Sequence, residues 1–181
     1  MHANTATDEN SYILPAKFLN IFIRMKLVVC VNHVPDTETK VNVGEDGKKI
    51  NPVGVNWMLN PFDEYAIEEA LRLKEKNGGE VIALSLGGDT HKETLRKSLA
   101  MGVDKAVLLK DDAVRDSFAI GKALADAIKE MSADVILFGK QSIDYYDEQL
   151  PGIVGELLGI PSVSTVVKME IAEGKVQCER E

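Results

Sequence analysis

Cysteine is scarce in this chain: Cys30 and Cys178 are the only two, far apart and with no Cys-x-x-Cys spacing, so there is no disulfide framework to read. The three histidines, His2, His33 and His91, show no metal-ligand pattern such as His-Glu-x-x-His, and zinc chemistry has no support. Positive charge is also in deficit, with 21 Lys and Arg against 29 Asp and Glu and a net charge of −8. That argues against duplex nucleic acid as the main partner, because phosphate contacts need a positive field. A small phosphorylated ligand held by backbone amides stays compatible with it. The apolar stretch over residues 13–23 is interrupted by Pro15, Lys17 and Asn20, too short and too polar to cross a bilayer. Asp8 and Glu9 sit near the start with no early basic cluster, unlike a secretory or transit peptide. Together these absences point to a reducing, cytoplasmic setting with neither nucleic acid nor membrane insertion. There is no P-loop and no Gly-x-Gly-x-x-Gly after the first strand. Cys30 has His33 close in sequence, but the pair lacks a third, orienting group and is a weak nucleophile–base candidate.

What is present fits one globular domain plus an extension: 181 residues, 45% hydrophobic and 28% charged. Residues 1–24 read as an N-terminal extension, with an N-terminal helix packed on the domain as the open alternative. The domain is expected over residues 25–181. Four apolar runs, residues 26–31, 80–86, 105–109 and 134–139, read as buried strands. A fifth is expected over residues 162–167. Between them fall helix-period faces: Ile67, Ala70, Leu71 and Leu73; Leu95, Leu99 and Met101; Ile120, Leu124, Ala127, Ile128 and Met131; and an apolar helix with Ile153, Val154, Leu157 and Leu158. Alternation of strand and helix implies right-handed crossovers. The expectation is an α/β fold: a doubly wound, mainly parallel five-stranded sheet in the order 3-2-1-4-5, helices on both faces, Rossmann-like and nucleotide-binding. Asn60 can cap a helix with Pro61 at its first position, and Asp63 and Glu64 complement its dipole. Gly78-Gly79 and Gly102 end helices.

The connection from His33 to Leu59 takes 27 residues, where ~2–6 is usual, and such length is usually functional. Within it Val41-Asn-Val43 and Lys48-Lys-Ile50 flank an Asp46-Gly47 turn signal and read as a small β-hairpin insertion. Near the other end of the chain, Gly174 separates two antiparallel-looking, strand-like pieces, residues 166–171 and 175–181. The second is still strand-like at Glu181, so a longer natural polypeptide is expected.

In an open doubly wound sheet a ligand sits beyond the carboxyl ends of the strands, where strand order reverses. Three strand exits meet there: Cys30-Val-Asn-His33, Ser85-Leu-Gly-Gly88 and Gly139-Lys-Gln-Ser-Ile-Asp144. Helix starts at Asn60 and near Gln149 add amides for an anion. Each feature has a plainer reading: Gly87-Gly88 as a tight turn, Asn60-Pro61 as a cap, Lys140 and Gln141 as solvated loop. Composition and topology alone give a nucleotide-sized pocket.

At these same segments the sequence resembles the β subunits of electron transfer flavoproteins. The resemblance runs through residues 25–181 and is carried by Val29-Cys-Val-Asn-His-Val-Pro-Asp-Thr37, Asn60-Pro-Phe-Asp-Glu-Tyr-Ala-Ile-Glu-Glu-Ala-Leu-Arg-Leu-Lys74, Leu99-Ala-Met-Gly-Val-Asp104 and Gly139-Lys-Gln-Ser-Ile-Asp144. It implies an electron-carrier subunit, not an enzyme, that binds AMP or a second FAD. The partner is an α subunit holding FAD, and electrons pass between acyl-CoA or other dehydrogenases and an acceptor. NADH oxidation enters only if the complex is of the bifurcating type, toward which Val34-Pro-Asp-Thr37 leans. A bacterial, cytoplasmic setting is implied ahead of the mitochondrial matrix. The implied cofactor-binding residues are Cys30, Asn60, Pro61, Phe62, Asp63, Leu86, Gly139, Lys140, Gln141, Ser142, Ile143, Asp144, Gln149 and Leu150, with no catalytic residue and no metal. The chain departs from the family after Asp144, where Tyr145-Tyr-Asp-Glu-Gln-Leu-Pro151 brings a carboxylate at Glu148 and removes an amide at Pro151. Each weakens anion capture by roughly 1–3 kcal/mol if buried. The resemblance also implies a missing C-terminal segment. A stand-alone adenine-nucleotide sensor of the universal-stress-protein type is the alternative. An ATP pyrophosphatase lacks its Ser-Gly-Gly-x-Asp-Ser loop here.

Overall fold

Residues Leu27, Val28, Val29 and Cys30 form an unbroken apolar run because both of their faces are covered. In a computed structural model, which describes residues 25–172 and 175–181, Leu27 and Val29 point into one core with Ile67, Ala70 and Leu73. Val28 and Cys30 point into a second core with Leu124, Ala125, Ile128 and Val154. The alternation is the period of two that a strand imposes. The N-terminal extension expected over residues 1–24 lies outside the described residues, as does Gly174.

The elements run β1 (Lys26–Cys30), β2 (His33–Pro35), β3 (Trp57–Leu59), α1 (Pro61–Asn77), β4 (Glu80–Gly87), α2 (His91–Met101), β5 (Lys105–Lys110), α3 (Ser117–Met131), β6 (Val135–Phe138), α4 (Leu150–Leu158), β7 (Val166–Ala172) and β8 (Lys175–Arg180). Strands β5, β4, β1 and β6 form one parallel sheet in that order. Leu27 stands opposite Val81 on one side and Val135 on the other, and Cys30 lies between Leu84 and Phe138. The expected 3-2-1-4 core of the order is therefore present, but the fifth strand is not in this sheet.

Of the residues 162–167 expected there, 162–165 form no strand, and Val166 and Val167 open β7, which pairs antiparallel with β8. The reason is its pattern. Met169 is buried while Lys168 and Glu170 are exposed, so β7 has a single apolar face. Beside β6, with helices on both sides of the sheet, the charged set would be buried. The β7–β8 hairpin lays Met169, Ile171 and Cys178 against the α1-side core, and the Arg72 guanidinium of α1 donates to the Met169 carbonyl at 2.8 Å.

The long connection also differs from expectation. Its hairpin over residues 41–50 is reduced to a single bridge, Val43 to Ile50, around a turn in which Asp46 accepts from the amides of Lys48 and Lys49 at 2.9 and 3.1 Å. The two ends of the connection zip together instead: β2 pairs antiparallel with β3, placing His33 opposite Leu59. Three-residue strands are too short to show a period.

In α2 the expected apolar residue Leu99 is 43% exposed. Thr94, Leu95 and Ser98 are the buried side chains. Ser98 donates to the Thr94 carbonyl at 3.0 Å, and Thr94 itself meets a histidine, so this face is buried through hydrogen bonds. The α3 face matches expectation, with Leu124 and Ile128 buried and Ile120, Ala127 and Met131 packed alongside.

Gly79 carries φ +127°, and a Cβ there would fall on the Met25 carbonyl oxygen. Gly79→Ala is predicted to destabilise by about 1–3 kcal/mol. By contrast Gly152, in α4, has open space around it, and Gly152→Ala should be neutral or stabilising by up to ~1 kcal/mol. Urea midpoints of the two variants check the pair.

Candidate functional site

A cleft of about 730 Å³ opens at the carboxyl ends of β1, β4 and β6, within the range of about 300–1,000 Å³ for small-molecule sites. Its position is the one the parallel topology selects. Cys30, Asn60, Asp63, Leu86, Gly139, Lys140, Gln141, Ser142, Asp144 and Leu150 line it. Pro61, Phe62, Ile143 and Gln149 are not among the lining residues: the first two open α1, Ile143 lies between the lining residues Ser142 and Asp144, and Gln149 precedes α4.

The site is organised by one carboxylate. Asp63, in the first turn of α1 and only 6% exposed, accepts from the amide of Asn32 at 2.8 Å and that of Gly139 at 3.1 Å. It thus ties the strand ends of β1 and β6 to one helix. Burial pushes its carboxyl up to about 7, against the pull of those amides and of Asn60. Gly139 has no room for a side chain, since a Cβ would lie 2.6 Å from the Phe62 carbonyl carbon and 2.7 Å from the Asp63 nitrogen.

Asn60 was expected to cap α1, and its side chain does not do so. Fully buried, it donates to the Gln141 carbonyl at 2.9 Å and accepts from the Ile143 amide at 3.3 Å. Its carboxamide shapes the loop after β6, while its own carbonyl accepts from Asp63 and Glu64 at 2.9 and 3.2 Å. The α1 terminus is therefore occupied by the chain's own groups. The α3 terminus is capped by Asp116, which accepts from Ala119 at 2.8 Å. At α4 no side chain caps, although Asp147 accepts from the Gln149 amide at 2.8 Å and from the Ser117 hydroxyl. Beside Lys48, Lys49, Lys140 and Arg115, the lining holds Asp63, Asp111, Asp112, Asp116, Asp144 and Asp147.

Cys30 is a buried thiol. Burial, and then the nearby Asp63, hold its pKa well above the ordinary cysteine value, so it is no nucleophile. Tyr145 and Tyr146 are 72% and 68% exposed and leave the cleft open. Tyr146 sits at φ +53°, with its amide donating to the Ser142 carbonyl at 3.0 Å.

Sequence reasoning missed residues 48–50 and 111–117, which also line the cleft, and an aromatic part of the lining. His33, Trp57 and His91 all face the cleft. The His33 ring stacks on Trp57 with centroids 5.1 Å apart and lies 4.9 Å from the His91 ring. His33 Nδ1 meets the Thr94 hydroxyl at 2.8 Å, and His91 Nδ1 meets that of Ser85 at 2.9 Å. His91 also explains Gly87, whose Cβ would strike the imidazole. The three rings come from residues 24 and 34 positions apart, with no local pattern joining them.

With the geometry in view, comparison with known proteins is decisive. Residues 48–181 match the electron transfer flavoprotein domain. This chain belongs to the electron transfer flavoprotein family. It is similar to the electron transfer flavoprotein subunit beta of Syntrophomonas wolfei, 41% identical over 160 residues that cover 88% of this chain and 63% of the relative. The subunit beta of Bacillus subtilis is 41% identical over 87% of this chain and 62% of its own length. That of Dictyostelium discoideum is 34% identical, over 87% and 63%. The chain thus spans about three fifths of the length of these relatives. Among the described residues no helix is long and apolar enough to cross a membrane, and no group of three His, Cys, Asp or Glu could hold a metal ion.

The titrating groups give opposed slopes. Burial, then the neighbouring His33, lowers His91 to about 4, and burial lowers His33. A histidine with a lowered folded pKa contributes stability that is lost as pH falls from about 6.5 to 4. Asp63, raised to about 7 from 3.8, binds its proton more tightly when folded, so its contribution is lost as pH rises from about 4 to 7. Asp63→Asn should therefore melt with a steeper fall on acidification from pH 6.5 to 4 than the parent. His91→Phe should lose less stability than the parent on the same acidification. Melting temperatures across this window test both signs.

Proposed function

We propose that this chain acts as the β subunit of an electron transfer flavoprotein and binds an adenine nucleotide, AMP or FAD, in the cleft at the ends of β1, β4 and β6. The observation that carries this reading is the coincidence of two things: family membership, and a cleft built by Asn60, Asp63 and the Gly139–Asp144 segment, the same segments that carry the family resemblance. The residues fit such a ligand on structural grounds. Gly139 lets the loop after β6 approach α1 closely enough for Asp63 to take its amide, the Asn60 carboxamide fixes the backbone of Gln141 and Ile143, and Lys140 lines the opening.

The work of the chain is binding and orientation. A bound flavin supplies the redox chemistry, and the protein supplies placement and electrostatics. No acid, base or nucleophile is required of any side chain, in keeping with the inert Cys30. Residues 25–181 constitute the nucleotide domain in this reading. An α subunit carrying FAD is the partner, acyl-CoA or other dehydrogenases feed the complex, and the setting is bacterial cytoplasm.

Co-purification with a neighbouring-gene α subunit, followed by the visible spectrum and analysis of nucleotides released on denaturation, tests this. One flavin plus AMP supports a simple carrier, and two flavins support an FAD-type β site. A colourless chain that releases neither and forms no complex contradicts the proposal. Asn60→Ala frees the loop over residues 141–143 and should weaken AMP binding about tenfold, near the 1.4 kcal/mol of one hydrogen bond, as read by calorimetry against the parent chain.

A further inference from the structure

We infer that His33, Trp57 and His91 form an aromatic bay for the planar heteroaromatic ring of the ligand, with His33 Nε2 as the ring's polar partner. The inference rests on the nucleotide reading above and adds residues that the family resemblance does not supply.

The first observation is an open valence. His33 is 6% exposed, and its Nε2 is buried with no hydrogen-bond partner among the described residues. An unsatisfied buried polar group costs about 1–3 kcal/mol, and each such group needs a reason. Thr94 holds Nδ1 at 2.8 Å, which fixes the ring's rotation and leaves Nε2 as the one atom with capacity to spare. Burial keeps the imidazole neutral, so its contribution is a directed hydrogen bond and not a charge.

The second observation is the shape and chemistry of the wall. Trp57 stacks on His33 at 15° between planes, and His91 leans against it at 46°. All three line the cleft. Rings of this kind favour offset-stacked or edge-on contact with another planar π system, worth ~0.5–1.5 kcal/mol beyond area burial. Each member is held from behind: His33 by Thr94, His91 by Ser85, Trp57 by the β2–β3 pairing. Because Nε2 is buried, a ring that reaches it has to displace a side chain covering it, while these contacts keep the orientation of the imidazoles fixed.

The shared ligand chemistry is a planar heteroaromatic ring with polar atoms in its plane. Adenine and isoalloxazine both qualify, and the experiment separates them. Trp57 is the only tryptophan in the chain, so intrinsic fluorescence reports on the bay alone. The full chain is titrated with AMP, and separately with FAD, by calorimetry and by tryptophan emission. A ring in the bay should change Trp57 emission in step with the calorimetric isotherm. His33→Phe, which keeps a ring but removes Nε2, should weaken that ligand about tenfold. His33→Gln, which keeps a polar end, should recover part of the loss, and circular dichroism melts confirm that both variants fold. A response to AMP identifies adenine as the ring; a response to FAD alone identifies isoalloxazine. Either supports the inference. Calorimetric binding of both ligands with unchanged Trp57 emission, or with full affinity in folded His33→Phe, overturns the bay and leaves the nucleotide reading standing. Absence of any heat with either ligand overturns both.

Discussion

A single buried carboxylate sets the geometry from which everything else at the cleft follows. Where β1 and β6 leave the sheet, the amides of Asn32 and Gly139 have no strand partner, and Asp63 takes both. Because Asp63 lies in the first turn of α1, satisfying those two donors fixes where the helix begins. It also fixes Asn60, three residues earlier, whose side chain then reaches the loop after β6. Gly139 is the steric counterpart: with a Cβ, it could not approach the helix closely enough for its amide to meet the carboxylate. The arrangement has an electrostatic cost, visible as a carboxyl pushed up to about 7 by burial. Two charge-assisted hydrogen bonds offset it.

The four-stranded parallel sheet was legible because its runs are apolar on both faces, a signal that needs only composition and length. The strand exits were legible for the same reason, since topology alone places a ligand at their carboxyl ends. The fifth strand was misassigned because the valines at 163, 166 and 167 read as a buried run, whereas all three are exposed and the strand begins only at Val166; the two strand-like pieces on either side of Gly174 were legible and pair as β7 and β8. Asn60 illustrates a subtler limit. Asn before Pro at a helix start reads as a cap, yet the carboxamide serves residues 81 and 83 positions away. No local rule anticipates a partner at that distance. On α2, Leu95 was legible as buried, but Thr94 and Ser98 beside it were missed because they are polar, and the burial of Thr94 makes sense only with His33 against it.

The same reasoning limits how the acidic chain would hold the phosphorylated ligand proposed for it. Of the helix starts around the cleft, those of α1 and α3 are already taken by Asn60 and Asp116, and Asp147 stands before α4. Field strength at the rim is modest, so selectivity has to come from shape and from directed hydrogen bonds inside. Segments that carry the family resemblance line the cleft, and the aromatic wall of His33, Trp57 and His91 is a feature that composition could not reveal.

The most direct test of the account is amide hydrogen exchange with and without AMP. If the carboxylate-anchored cleft holds the adenylate, exchange should slow over residues 60–63 and 139–144 on adding AMP, while the β7–β8 hairpin stays unchanged. Protection confined to other segments, or none at saturating AMP, would contradict it.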